Sequence, residues 1–113
     1  MKLLTKEIIG KFPGIKETES LDPSEVQIIA KFFTPWAGWT WYATEMERIE
    51  DMNEDGSIRE DFMFFGYVIG HFKELGYFVL SELEEIQGPF RLRIERDKHF
   101  SGTLEDVMTG KKQ

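Results

Sequence analysis

The sequence predicts an α+β domain: a mostly antiparallel sheet of about five strands in meander order, with two or three short helices packed on it. Three observations predict it. Short segments of strand length, apolar on one face or on both, recur along the sequence. The connections between those segments are short, which favours antiparallel neighbours. Helix signals are confined to a few brief stretches, each with its own cap or stop.

Thr5 caps the first helix. Leu4, Ile8, Ile9 and Phe12 fall at helical spacing, and Pro13-Gly14 stops the run. Residues 16–25 are polar and predict a loop. The first strand is Val26–Phe33, with Val26, Ile28, Ala30 and Phe32 on one face. A connection over residues 34–38 leads to a second strand, Trp39–Met46. The third, Phe62–Ile69, is apolar on both faces and therefore central. Residues 70–74 turn the chain into a fourth strand, Leu75–Leu80, and Phe64 and Val79 are expected to be buried. Ser81 and Glu84 have capping-box spacing and open a helix that ends at Gly88-Pro89. Phe90–Glu95 sets Phe90, Leu92 and Ile94 against Arg91, Arg93 and Glu95, a fifth strand with one wet face. Ser101 to Leu104 starts a last short helix, and residues 110–113 are expected as a flexible tail.

With 113 residues, residues 1–113 are expected to form a single domain around one core. The hydrophobic fraction of 41% supplies enough apolar area to fold without a metal or disulfide staple. The absence of cysteine excludes disulfides, thiolate nucleophiles and Cys-ligated metals. Charge returns two leucines into the N-terminus, so no secretory signal is read and the cytoplasm is the expected location. No apolar stretch approaches the roughly 20 residues that span a bilayer. A net charge of −7 repels phosphate backbones and anionic membranes. Neither direct nucleic-acid binding nor membrane association is expected; a basic protein is the partner that the charge suits.

That charge is concentrated. From Glu45 to Asp61 there are eight acids and two bases, a net of −6. Residues 47–60 are expected as an acidic loop, and Glu47, Glu50, Asp51, Glu54 and Asp55 as a surface for a basic groove. Such a surface needs an apolar anchor, because exposed ion pairs contribute little. Trp39 and Trp41, two apart on a strand, are assigned to the core. Trp36, on the turn, is expected to be exposed and to be that anchor.

Two other patterns carry chemistry. Residues 51–58 match the opening of an EF-hand calcium loop, with oxygen ligands at positions 1, 3 and 5 and Gly56 at position 6. Position 12 is Phe62 rather than Glu, so the candidate Ca²⁺ ligands are Asp51, Asn53, Asp55, Ser57 and Asp61, and no other cofactor is expected. The competing reading is a hairpin connection turned by Asp55-Gly56. Glu95, Asp97 and His99 form the one candidate acid/base or metal group, and the basis of a small hydrolase-like enzyme. No nucleophile or second base pairs with them and no catalytic motif occurs, so the expectation is a protein that is not an enzyme.

Three groups of residues resemble a known family. They are Lys31-Phe32-Phe33-Thr34-Pro35 with Trp39-Thr40-Trp41-Tyr42 and Glu45; Phe64-Phe65-Gly66 with Glu74-Leu75-Gly76-Tyr77-Phe78 and Ser81-Glu82-Leu83; and Gly88-Pro89-Phe90 with Ile94-Glu95-Arg96-Asp97. In order and spacing they are similar to the uncharacterised bacterial domain-of-unknown-function family 2958. The resemblance implies a setting on plasmids, phages and conjugative elements. It implies no activity and no catalytic residue. The expected function is therefore an accessory protein of a mobile element that binds another protein through an acidic surface, in an anti-defence role.

Overall fold

A hydroxyl sets the first element. In the computed structural model, which describes residues 3–113, Thr5 Oγ1 accepts the Ile8 amide at 3.3 Å. It opens a one-turn helix, α1 (Lys6–Ile9). Four strands follow as an antiparallel meander: β1 (Ala30–Phe33), β2 (Thr40–Met52), β3 (Ile58–Ile69) and β4 (Lys73–Val79). α2 (Leu80–Glu85) continues directly from β4, the two-residue β5 (Glu95–Arg96) returns to the outer side of β1, and α3 (Leu104–Met108) follows. The sheet order is β4-β3-β2-β1-β5. This is the five-stranded antiparallel α+β fold expected, with three short helices.

Both faces of the sheet are covered. Trp41 and Tyr42 are adjacent on β2 and so point to opposite faces, and each joins a different apolar cluster. The first cluster holds Phe32, Phe64, Phe78, Leu83 and Ile94; Phe32 and Phe64 are fully buried, with ring centroids 5.6 Å apart. Each such ring stabilises by about 1.5–3 kcal/mol relative to exposure. The second cluster holds Val26, Ile28, Tyr42, Tyr67 and two residues of α3, Leu104 and Val107. Phe64 is buried as expected; Val79 is only half-buried. Among the described residues no helix is long and apolar enough to cross a membrane.

Two local features position side chains. β2 carries one residue more than β3 opposite it: Ala43 pairs with Gly66 and Glu45 with Phe65, so Thr44 is the bulged residue. Its hydroxyl donates to the Phe65 carbonyl at 3.0 Å. Gly66 is required there, since a Cβ would lie 1.8 Å from the Tyr42 carbonyl oxygen.

Several expectations are corrected. The single face over Val26–Phe33 is split. Ala30 and Phe32 enter the first cluster, while Val26 and Ile28 enter the second. The split arises because residues 26–28 leave the ladder and bond to residues 102–104: Ile28 N to Gly102 O at 2.9 Å, and Leu104 N to Val26 O at 2.8 Å. The fifth strand shrinks to Glu95–Arg96. Gly88 N donates to Leu92 O at 2.8 Å and Leu92 N to Pro89 O at 3.1 Å, which closes a turn instead. Phe90 and Arg91 sit there at positive φ, 57° and 62°, and Phe90 is 98% exposed. The Ser81–Glu84 capping box does not form. The Ser81 hydroxyl and amide donate instead to the buried Asp61 carboxylate, at 2.5 and 3.1 Å. A carboxylate from β3 thus satisfies the start of α2. The capping box of this fold is at α3, where Thr103 and Asp106 exchange bonds of 3.2 and 3.0 Å. At the C-terminus the Lys112 amide donates to Asp106 O at 3.1 Å.

Candidate functional site: an acidic hairpin arm

The expected acidic loop over 47–60 is strand on both sides of a tight turn. Its pairs run Glu47↔Met63, Arg48↔Phe62, Ile49↔Asp61, Glu50↔Glu60, Asp51↔Arg59 and Met52↔Ile58. β4 pairs with β3 only from Met63 onwards, so Ile58–Phe62 has β2 alone as a neighbour. Five steps of about 3.3 Å carry the arm roughly 17 Å from Glu47 to its tip. Apart from Ile49 and Asn53, every residue from Glu47 to Glu60 is exposed.

The turn chemistry is local. Asn53 N donates to Ser57 O at 2.8 Å and Gly56 N to Asn53 O at 3.0 Å, with Gly56 at φ 88°. This is a three-residue hairpin loop that needs a left-handed residue at its last position. Asp55 Oδ1 accepts the Ser57 amide at 2.9 Å and its hydroxyl at 2.6 Å, and Asn53 Nδ2 donates to Ser57 Oγ at 2.8 Å. The resemblance to a calcium loop is therefore turn chemistry: Asx bonds and a glycine where the chain reverses. The five candidate ligands do not converge. Asp51 bonds Arg59 across the ladder at 3.1 Å, and Asp61 is buried against Ser81. Among the described residues no three His, Asp or Glu side chains surround one point.

Electrostatics shape both faces of the arm. The Met52 amide and then the Arg59 guanidinium hold the Asp51 carboxyl below its usual range. The Ser57 hydroxyl and amide do the same for Asp55. On the other face Glu50 stands directly opposite Glu60, an unfavourable pairing of like charges. Arg48 relieves it by reaching Glu60 at 3.1 Å while lying over the Phe62 ring at 5.4 Å. Residues 47–60 hold six acids and two arginines, a net of −4.

The other sequence candidates lie elsewhere. Trp36 is half-buried against the first cluster, with its indole over Gly88 so closely that a Cβ there would meet the ring at 2.3 Å. It is not exposed, and it lies on the β1–β2 connection, at the opposite end of β2 from the arm tip. Trp39 and Trp41 stack at 5.8 Å beside the same cluster, as expected. Glu95, Asp97 and His99 do not form a group. Asp97 is drawn to Lys31 at 3.8 Å and accepts the His99 amide at 3.0 Å, while the His99 side chain is exposed.

Two features escaped sequence reasoning. Met52 and Ile58 pair at the arm tip and are 67% and 66% exposed. Two apolar residues spaced evenly about an Asp-Gly turn were the signal for that pair. The second is Glu45, 3% exposed, whose carboxylate accepts the Lys16 and Thr18 amides at 2.9 Å each, and the Thr18 hydroxyl. It lines a groove of about 320 Å³ with Phe65, Leu75 and Tyr77, and both of its oxygens are engaged in holding residues 16–18.

A family model described as a protein of unknown function, DUF2958, matches residues 3–107. The chain belongs to that family. The DUF2958 match runs from before α1 into α3 and so includes the whole arm. No curated protein and no solved structure matches the chain.

Proposed function

We propose that this DUF2958 protein is a non-catalytic binding module that inserts the β2–β3 arm into a basic groove of a partner protein. One observation carries the reading: a two-stranded arm, exposed almost throughout and net −4, ends in an exposed apolar pair, Met52 and Ile58. Charge of one sign speeds encounter with a groove of the other and selects against wrong partners. The apolar tip supplies the desolvated anchor that exposed carboxylates lack. It takes the place expected of Trp36. A strand-paired arm also loses less entropy on docking than a disordered loop does.

The family resemblance suggests the kind of partner. Mobile elements encounter host nucleases in the cytoplasm, and the nucleic-acid channels of nucleases are basic and accept a rod of negative charge. The test is a pull-down from host lysate, comparing the parent with a chain in which Glu47, Glu50, Asp51, Glu54 and Asp55 are replaced by Ser or Asn. The expected result is a partner captured by the parent, weakened by high salt and lost on neutralisation. A partner held equally by both chains, or no partner, overturns the proposal.

A further inference from the structure

We infer that the cleft between α1 and β5 is a binding site for a phosphate monoester. It is separate from the arm and does not depend on the function proposed for it. Arg96 is opposite Phe32 in the ladder and so faces the side of the sheet where α1 packs. Its Nε is buried and has no hydrogen-bond partner, and none of the ion pairs among the described residues includes its side chain. A buried guanidinium donor left unmatched is costly unless a ligand satisfies it.

The surroundings point to an anion. Arg96, Lys98 and Lys11 line one cleft of about 300 Å³ in a chain whose net charge is −7. Asp97 also lines the cleft, but it is engaged by the Lys31 ammonium at 3.8 Å and the His99 amide at 3.0 Å. Glu7 reaches Lys11 at 3.6 Å with both side chains mostly exposed, a pairing that contributes little. A guanidinium with two lysines in the same lining matches a dianionic phosphate better than a single carboxylate. Ile8, Ile29 and Phe100 also line the cleft, and this apolar surface suits an organic group carried on the phosphate.

Phenyl phosphate is the probe, titrated calorimetrically into the whole chain at low salt, with amide NMR shifts to locate the site. Saturable binding is expected, with shifts centred on Lys11, Arg96 and Lys98. Arg96→Gln is expected to weaken it at least about tenfold, the loss of a hydrogen bond to a charged group. Should Arg96→Gln disturb folding by circular dichroism, Lys98→Gln decides, because the Lys98 side chain is exposed; it is expected to weaken binding severalfold. Neutralising the arm is expected to leave the affinity unchanged. Absence of saturable binding, parental affinity in both variants, or acetate binding as tightly as phenyl phosphate would each overturn the assignment.

Discussion

Glu45 shows how one carboxylate can organise a loop. Its two oxygens receive two amides and a hydroxyl from residues 16–18, in a segment where Lys16 adopts φ 73°. Glu45→Gln puts an amide group against a donor, and the stability loss is expected to be about 1–3 kcal/mol. Urea unfolding measures it, and a loss under about 0.5 kcal/mol would show that the loop holds itself. Tyr42 governs the alkaline side. Burial first, then the Asp97 carboxylate and Tyr67, push its phenol above the ordinary value of 10.0. The folded chain thus holds that proton more tightly than the unfolded chain. The stabilisation is full below about pH 10 and is lost as pH rises through the raised folded value. Tyr42→Phe is expected to flatten the fall in urea midpoint above about pH 10; an unchanged slope would assign the fall to other groups.

Among the elements, strands written as apolar runs are legible in the sequence, and segments built on turn chemistry are not. β3 and β4 are readable because Phe62–Ile69 and Leu75–Leu80 are short, nearly continuous apolar runs with a turn between them. The sequence pattern ends β2 at Met46, because a solvated arm carries no apolar signal: Glu47, Arg48, Glu50 and Asp51 are polar on both faces. The arm was the candidate site, and its acids were visible from composition while its anchor was not. Phe90 misled in the opposite sense. An aromatic at the right spacing resembled a strand residue, yet Pro89 and the 88–92 bonds put it in a left-handed, fully exposed position. Phe90→Gly removes the cost of that conformation and is expected to stabilise the fold by up to about 1 kcal/mol. A thermal shift downward would mean that the ring makes contacts the turn depends on.

At the scale of the whole molecule, stability and the proposed function occupy different parts of the chain. The two cores sit over the centre of the sheet, and the arm contributes almost nothing to either. Replacing residues 50–60 with Asn-Gly keeps Ile49 opposite Asp61 and supplies a two-residue hairpin turn. The shortened protein is expected to unfold within about 1 kcal/mol of the parent and to lose the pulled-down partner. Collapse of the fold would show that the arm is structural. The bulge in β2 bears on how the length of this chain can vary. Because Thr44 is the supernumerary residue, losing it leaves Ala43 and Met46 on the first core and Glu45 on the opposite face, as they are now. Loss of Trp41 or Tyr42 instead inverts part of the strand and sets Thr40 or Ala43 where a ring is buried. A one-residue gap is therefore survivable at Thr44, whereas in the stretch just before it the same gap exchanges the two layers of the protein.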